Sequence, residues 1–182
     1  MRPIGMPNIR PRASCPIRMK ALERLFVRLT RCWGMMCSEI TVPEAIAETE
    51  EIARIIFSPS MIADGQVSPS AFFMDNLQNG PETYISVWRS CYITPSPENV
   101  TFNSRVKGDS LAGYATIGVL DCHEICYDDY KTHVVPHPSR MNKAHAGIHV
   151  NKGTEMVKGR CMDPGYLMLA MMIAHRCSLV IF

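Results

Sequence analysis

From residue 58 onward the chain is cut repeatedly by proline and glycine: Ser58-Pro59-Ser60, Asp64-Gly65, Ser68-Pro69-Ser70, Asn79-Gly80-Pro81, Pro136 with Pro138, and Asp163-Pro164. Proline fixes φ and removes a donor, and an Asp-Gly pair tolerates left-handed backbone, so each of these ends a regular element or turns the chain. Short elements are expected between them. Residues 84–93, rich in β-branched and aromatic side chains, read as a strand. Residues 111–120 read as a second, weakened by Gly113 and Gly118. Residues 132–135, 144–150 and 178–182 are further strands, and residues 121–130 are ambiguous. Ala71-Phe72-Phe73 is a short apolar plug in a loop. Ser96-Pro97-Glu98 starts a short helix reaching about residue 106. Asp163-Pro164 starts a helix that is apolar all round through Ala174 and is expected to be buried on most sides. Thr41-Val42-Pro43-Glu44 has the form of a capping box. It predicts a helix of about 14 residues with Ala45, Ile46, Ile52, Ile55 and Ile56 on its apolar face and Glu48, Glu50, Glu51 and Arg54 on its polar one. The sum is an α+β protein: a single small domain with a short mixed or antiparallel sheet packed by two or three helices.

Apolar residues make up 47% of the 182 and charged residues 20%, which excludes a wholly disordered chain. A mean hydropathy of -0.01 excludes a polytopic membrane protein. The net charge of +2 hides an asymmetry. Residues 1–38 carry eight basic side chains and one acid, a balance of +7, while residues 39–182 carry 11 basic and 16 acidic, a balance of -5. The boundary separates a basic N-terminal extension, 1–38, from an α+β domain, 39–182. Within the extension Leu22, Leu25, Phe26, Leu29 and Trp33 recur at helical spacing, with Arg18, Lys20, Arg24, Arg28 and Arg31 largely elsewhere on the wheel. Three readings stand: a helix with no separate role, a basic amphipathic helix on an anionic surface, and an over-extended start with translation beginning at Met35 or Met36. No charge-free apolar core marks a secretory signal, although an Arg-rich, acid-poor stretch also suits an organellar transit peptide. Residues 166–182 are the most apolar stretch, but His175 and Arg176 interrupt it and it is shorter than the roughly 20 residues of a membrane span. No transmembrane segment is expected. The eight cysteines, in a chain long enough to bury a core without staples, fit a reducing compartment, the cytoplasm, with most of them buried as small hydrophobes.

Three groups of residues are candidates for chemistry. Cys122, Cys126, His133 and His137 offer thiolate and imidazole ligands for a tetrahedral zinc, although the six-residue middle gap is half that of a zinc finger. No other cofactor is expected. His145 and His149 lie four apart on a predicted strand and so share a face with Gly147, where a glycine would let a ligand approach the backbone. Arg89 shares a strand face with Ile85 and Val87, and Arg54 lies late in the predicted first helix. A guanidinium among apolar side chains is costly unless it meets an anion or a carboxylate. The chain has no G-x-x-x-x-G-K-[ST], G-x-G-x-x-G, G-x-S-x-G or H-E-x-x-H, so P-loop, dinucleotide, serine-hydrolase and zincin readings lack their anchor.

In order, the chain presents Arg54, then Gly65-Gln66-Val67-Ser68-Pro69-Ser70-Ala71-Phe72, Ile85-Ser86-Val87-Trp88-Arg89, Gly113-Tyr114-Ala115, and Val135-Pro136-His137-Pro138 leading to Asn142-Lys143-Ala144-His145-Ala146-Gly147-Ile148. Over about residues 52–150 this resembles a family of small uncharacterised bacterial proteins with PSAF, SV and N-x-AHA-x-I segments. The resemblance implies no reaction. It favours His145 over His149, and Arg54, Ser70 and Ser86 over their neighbours. The expected function is an enzyme or binder of a phosphate-bearing small molecule or nucleic acid. His145 would be its acid or base, Arg54 and Arg89 (with Ser70, Ser86 and His149) its ligand-binding residues, and the partner a small-molecule anion. The alternative is a non-catalytic interaction or accessory protein whose partner is another protein.

Overall fold

The computed structural model describes residues 41–77, 80–104 and 111–182. The basic extension and its expected helix therefore lie outside the described residues. Residues Val42–Phe182 form one compact unit.

The expected first helix is a strand. Strand β1 runs Glu51–Ile56, and Ile52, Ala53, Ile55 and Ile56 are all buried. A strand covered on both faces loses its period-two pattern, and its apolar run then reads as easily as one side of a helix. The β-branched Ile52, Ile55 and Ile56 settle the competition for the pleated surface. The capping box does not form. Instead Glu50, just before β1, accepts the Ala47 amide at 2.9 Å and closes a turn.

After β1 come the hairpin strands β2 (Ile62–Ala63) and β3 (Gln66–Val67), joined by Asp64 and Gly65 at φ 51° and 74°. Left-handed backbone at both central residues is the geometry that Asp-Gly permits. The segment Pro69–Phe72 is a short 3-10 turn with Ala71 and Phe72 fully inside, the plug expected from its apolar run. Strands β4 (Asn76–Leu77) and β5 (Gly80–Pro81) pair with each other, and β6 is Ile85–Arg89. Helix α1 (Pro97–Ser104) precedes β7 (Gly113–Gly118) and the short helix α2 (Val119–Glu124). The ambiguous stretch holds α2 and β8 (Cys126–Tyr127), which turns into β9 (Tyr130–Pro136). The chain ends with β10 (His145–Lys152), β11 (Glu155–Met156), helix α3 (Pro164–Arg176) and β12 (Ser178–Ile181).

The main sheet has eight strands in the order β12-β7-β1-β6-β10-β9-β8, with β11 beside β10. It is larger than the short sheet expected, and its described pairings are antiparallel. One face carries Ile52, Ile56, Ile85, Val87, Ala146, Ile148 and Val150 into the core. Helix α3 and the Pro69–Phe72 turn lie over this side, tied by Tyr166 Oη donating to Phe72 O at 3.0 Å. Asp163 caps α3 by accepting the Gly165 amide. The helix is not buried on most sides. Tyr166, Leu169, Ala170, Ile173 and Ala174 face inward, while Met168 and Met171 are exposed and only Met172 of that trio packs on the core. Among the described residues no helix is long and apolar enough to cross a membrane.

Candidate functional site

The opposite face of the sheet bears a second apolar cluster, Ile55 and Trp88 with Val100 of α1, and beside it a group of polar residues, while Arg54, alternating with Ile52 and Ile56, is rooted on the core face. Register fixes which ones meet. Trp88 of β6 lies opposite His145 of β10, and Ser86 opposite Gly147. His149 lies opposite His133 of β9, and Val135 opposite Gly147. Cα partners in an antiparallel pair share a face, so Ser86, Trp88, His133, His145 and His149 stand together, away from the main core. Between β1 and β6 the pairing covers only Ile52–Arg89 and Ala53–Trp88. Beyond it the Arg54 guanidinium takes the place of ladder bonds. Nε donates to Ala71 O and Nη1 to Ser86 O, each at 2.9 Å.

These elements form a cavity of about 660 Å³, open to solvent on one side and lined by Arg54, Tyr84, Ser86, His137, Asn142 and His145 among others. Ser86 Oγ lies 2.8 Å from His145 Nε2, and His145 Nδ1 lies 2.8 Å from the carbonyl oxygen of His137. A carbonyl only accepts, so Nδ1 carries the proton. In the neutral ring Nε2 is then the acceptor, and the Ser86 hydroxyl donates to it. Burial, with the Arg54 charge adding to it, pulls the His145 pKa below the ordinary histidine value, against the smaller upward pull of the His137 carbonyl. His145 is accordingly a neutral base near pH 7, oriented by main chain. Burial also lowers the Arg54 pKa from its ordinary value, against the upward pull of Glu82, Tyr166 and Asp75; arginine starts far enough above neutrality to keep its charge. Arg54 forms no ion pair among the described residues, and its Nη2 has no hydrogen-bond partner among them. Asn142 is 3% exposed. Its Oδ1 accepts the Ala144 amide at 2.9 Å, while its Nδ2 is buried with no partner.

Beside the cavity runs an aromatic stack. The Tyr84 ring lies flat on His137 at 4.2 Å between centroids, and His137 Nε2 meets His149 Nε2 at 2.7 Å. His149 stacks on His133 at 5.2 Å. Burial and the neighbouring imidazoles push His149 down to about 4. A Cβ on Gly147 would fall 2.6 Å from Tyr84 Cδ2 and 2.9 Å from His137 Cδ2. The space that this glycine opens is thus filled by Tyr84 and His137 rather than left for a ligand.

Of the residues singled out in the sequence, Arg54, Ser86 and His145 come together. Arg89 does not. It is 1% exposed and faces away from Ser86, clamped by Glu50 through Nε (2.7 Å) and Nη2 (2.6 Å) and by the carbonyls of Pro43 and Ala45. Its anion is internal. Ser70 is turned toward Ser68, with the hydroxyls 3.0 Å apart, and does not line the cavity. His149, 7% exposed, sits behind the cavity in the stack. Cys122, Cys126, His133 and His137 are not gathered: Cys122 is buried beside Thr132, Cys126 is exposed on β8, and His133, next to Thr132 in the strand, projects to the other face. Among the described residues no group of three or more His, Cys, Asp or Glu side chains is placed to hold a metal. Cys91, Cys122, Cys126, Cys161 and Cys177 are free thiols; most were expected to be buried, but among these five only Cys122 is, with Cys161 and Cys177 half-buried and Cys91 and Cys126 exposed.

Asn142, Tyr84 and the His137 carbonyl were not picked out by residue type. Asn142 stands three residues before His145 in the same segment, the one available signal. The matching of this chain against protein-family models, curated proteins and solved structures gives no match to any of them.

Proposed function

We propose that the cavity binds a small molecule bearing an anionic group, phosphate foremost, and that the protein is an enzyme acting on it with His145 as general base. The observation that carries this is Arg54, a partly buried cation that lines the cavity and forms no ion pair among the described residues, with the charges of Glu82 and Asp75 acting on it only from a greater distance. Burying a charge that touches no carboxylate costs free energy, which an incoming anion would offset. A volume near 660 Å³ suits a small molecule. The free thiols among the described residues support a reducing compartment such as the cytoplasm.

The test is thermal unfolding of the full chain with inorganic phosphate and adenosine monophosphate as probes. An anion at about 100 times its Kd should add about 2.7 kcal/mol of stability to the wild type. The increase should vanish in Arg54→Met. An unchanged melting curve at millimolar anion, or an equal rise in Arg54→Met, overturns the reading and favours a non-catalytic role with a protein partner.

A further inference from the structure

We propose that Ser86 is a nucleophile, and that the reaction is acyl transfer from a carboxylic ester whose remote end carries the anion held by Arg54. This deepens the proposed function and rests on the same cavity. Three observations converge. The Ser86 hydroxyl donates to His145 Nε2 at 2.8 Å, within the range of a nucleophile and its base. The ring is fixed by a third group, the His137 carbonyl on Nδ1, which sets the tautomer needed to take a proton from Ser86. Asn142 lines the same cavity, is almost wholly buried, and keeps Nδ2 without a partner. A buried amide donor left unmade is costly unless a ligand oxygen completes it.

The chemistry follows from these atoms. Ser86 Oγ attacks the ester carbonyl carbon while its proton passes to His145 Nε2. The imidazolium is stabilised by the bond from Nδ1 to His137 O. The carbonyl oxygen, now an oxyanion, accepts from Asn142 Nδ2 once that side chain turns toward the cavity, since the atom is sealed from solvent in this structure. The bond to the leaving alcohol breaks, the alcohol takes the proton from Nε2, and an acyl ester remains on Ser86. Water then attacks the acyl carbon and gives a proton to Nε2. The acid leaves and the proton returns to Ser86 Oγ. One neutral amide donor matches the single charge that develops on a carbonyl oxygen. A transferring phosphoryl group spreads its charge over three oxygens and calls for more donors.

The experiment treats the full-length protein with a serine-directed fluorophosphonate and maps the adduct by mass spectrometry, with phosphate as competitor. One adduct, on Ser86, is expected. It should be absent in Ser86→Ala, slowed about 100-fold or more in His145→Gln, and slowed by excess phosphate in the wild type. Release of 4-nitrophenol from 4-nitrophenyl acetate should show a burst of one equivalent, and Asn142→Ala should cut its rate by about 100-fold. Melting curves establish that each variant is folded. No adduct, or an adduct on another residue that survives in Ser86→Ala, overturns the proposal. If phosphate still stabilises the protein in that case, the anion site stands without the nucleophile. If it does not, both fall.

Discussion

Arg89 and Glu50 illustrate how one charged residue is used up inside a protein. The guanidinium fork donates to both carboxylate oxygens and to two main-chain carbonyls, with the Tyr92 ring at 4.7 Å from its carbon. The Arg89 bond holds the Glu50 carboxyl below its usual range, against the opposing pull of burial. The depressed value means that its stabilising effect is complete above the unfolded-state pKa and disappears as pH falls through the folded one. Glu50→Ala should cost about 3–5 kcal/mol in urea unfolding at pH 7, because it strands a buried cation. The pair Glu50→Ala with Arg89→Met should be less destabilised than Glu50→Ala alone. A double variant as unstable as the single one would show that the loss lies elsewhere. The same pair shows what a linear reading misses. A guanidinium in an apolar setting was legible at Arg89, whereas Arg54 was placed on the polar face of a helix and singled out by the resemblance. The carboxylate that distinguishes them lies 39 residues from Arg89, and Glu50 looked like one more acid on a polar helix face. Asn142 was hidden for a related reason: an orphaned donor exists only once the surrounding groups have been placed.

At the scale of elements, turn chemistry was the most readable layer. Asp64-Gly65, Pro69, Pro97 and Asp163 each sit where the backbone uses their φ preference or capping oxygen. Elements buried on two sides were not readable. β1 hides its alternation because both faces are covered, and α3 shows the converse, since its Met168 and Met171 are apolar without being inside. β10 was read correctly as a strand with its histidines on one side, yet the use of Gly147 could not be inferred, because the ring that fills its space comes from Tyr84. That gives an element-level test. Gly147→Ala must displace Tyr84 or His137, so it should cost about 1–3 kcal/mol and disturb the mouth of the cavity. The loss is measured by urea unfolding. The disturbance would appear as shifted histidine and Tyr84 ring resonances, and unshifted rings with full stability would contradict the packing described.

Across the whole domain the two faces of the sheet obey different physics. One is closed mainly by hydrocarbon, and its acid-side titration is that of the Glu50–Arg89 pair. The other gathers His133, His137, His145 and His149, and burial lowers the pKa of every one of them. Each is therefore easier to protonate in the unfolded chain than in the folded protein. Above about pH 6.5 both states are neutral and the histidines contribute no pH dependence. As the pH falls below that value the unfolded state binds protons first, so stability declines, and the decline continues until the folded values are reached. For His149 the interval runs from 6.5 to about 4 and corresponds to a loss on the order of 3 kcal/mol. The unfolding midpoint in urea should therefore drop steadily between pH 6.5 and 4. Glu50 acts in the same direction but only in the carboxylate range, below the start of this interval. Replacing His149 with Gln should flatten the upper part of the curve, above pH 5, while Glu50→Ala leaves that part intact. A midpoint that stays level from pH 6.5 to 5 in the wild type would mean that the imidazole stack is open to water and titrates freely. Its rings would then not be the rigid wall that holds the His137 carbonyl on His145.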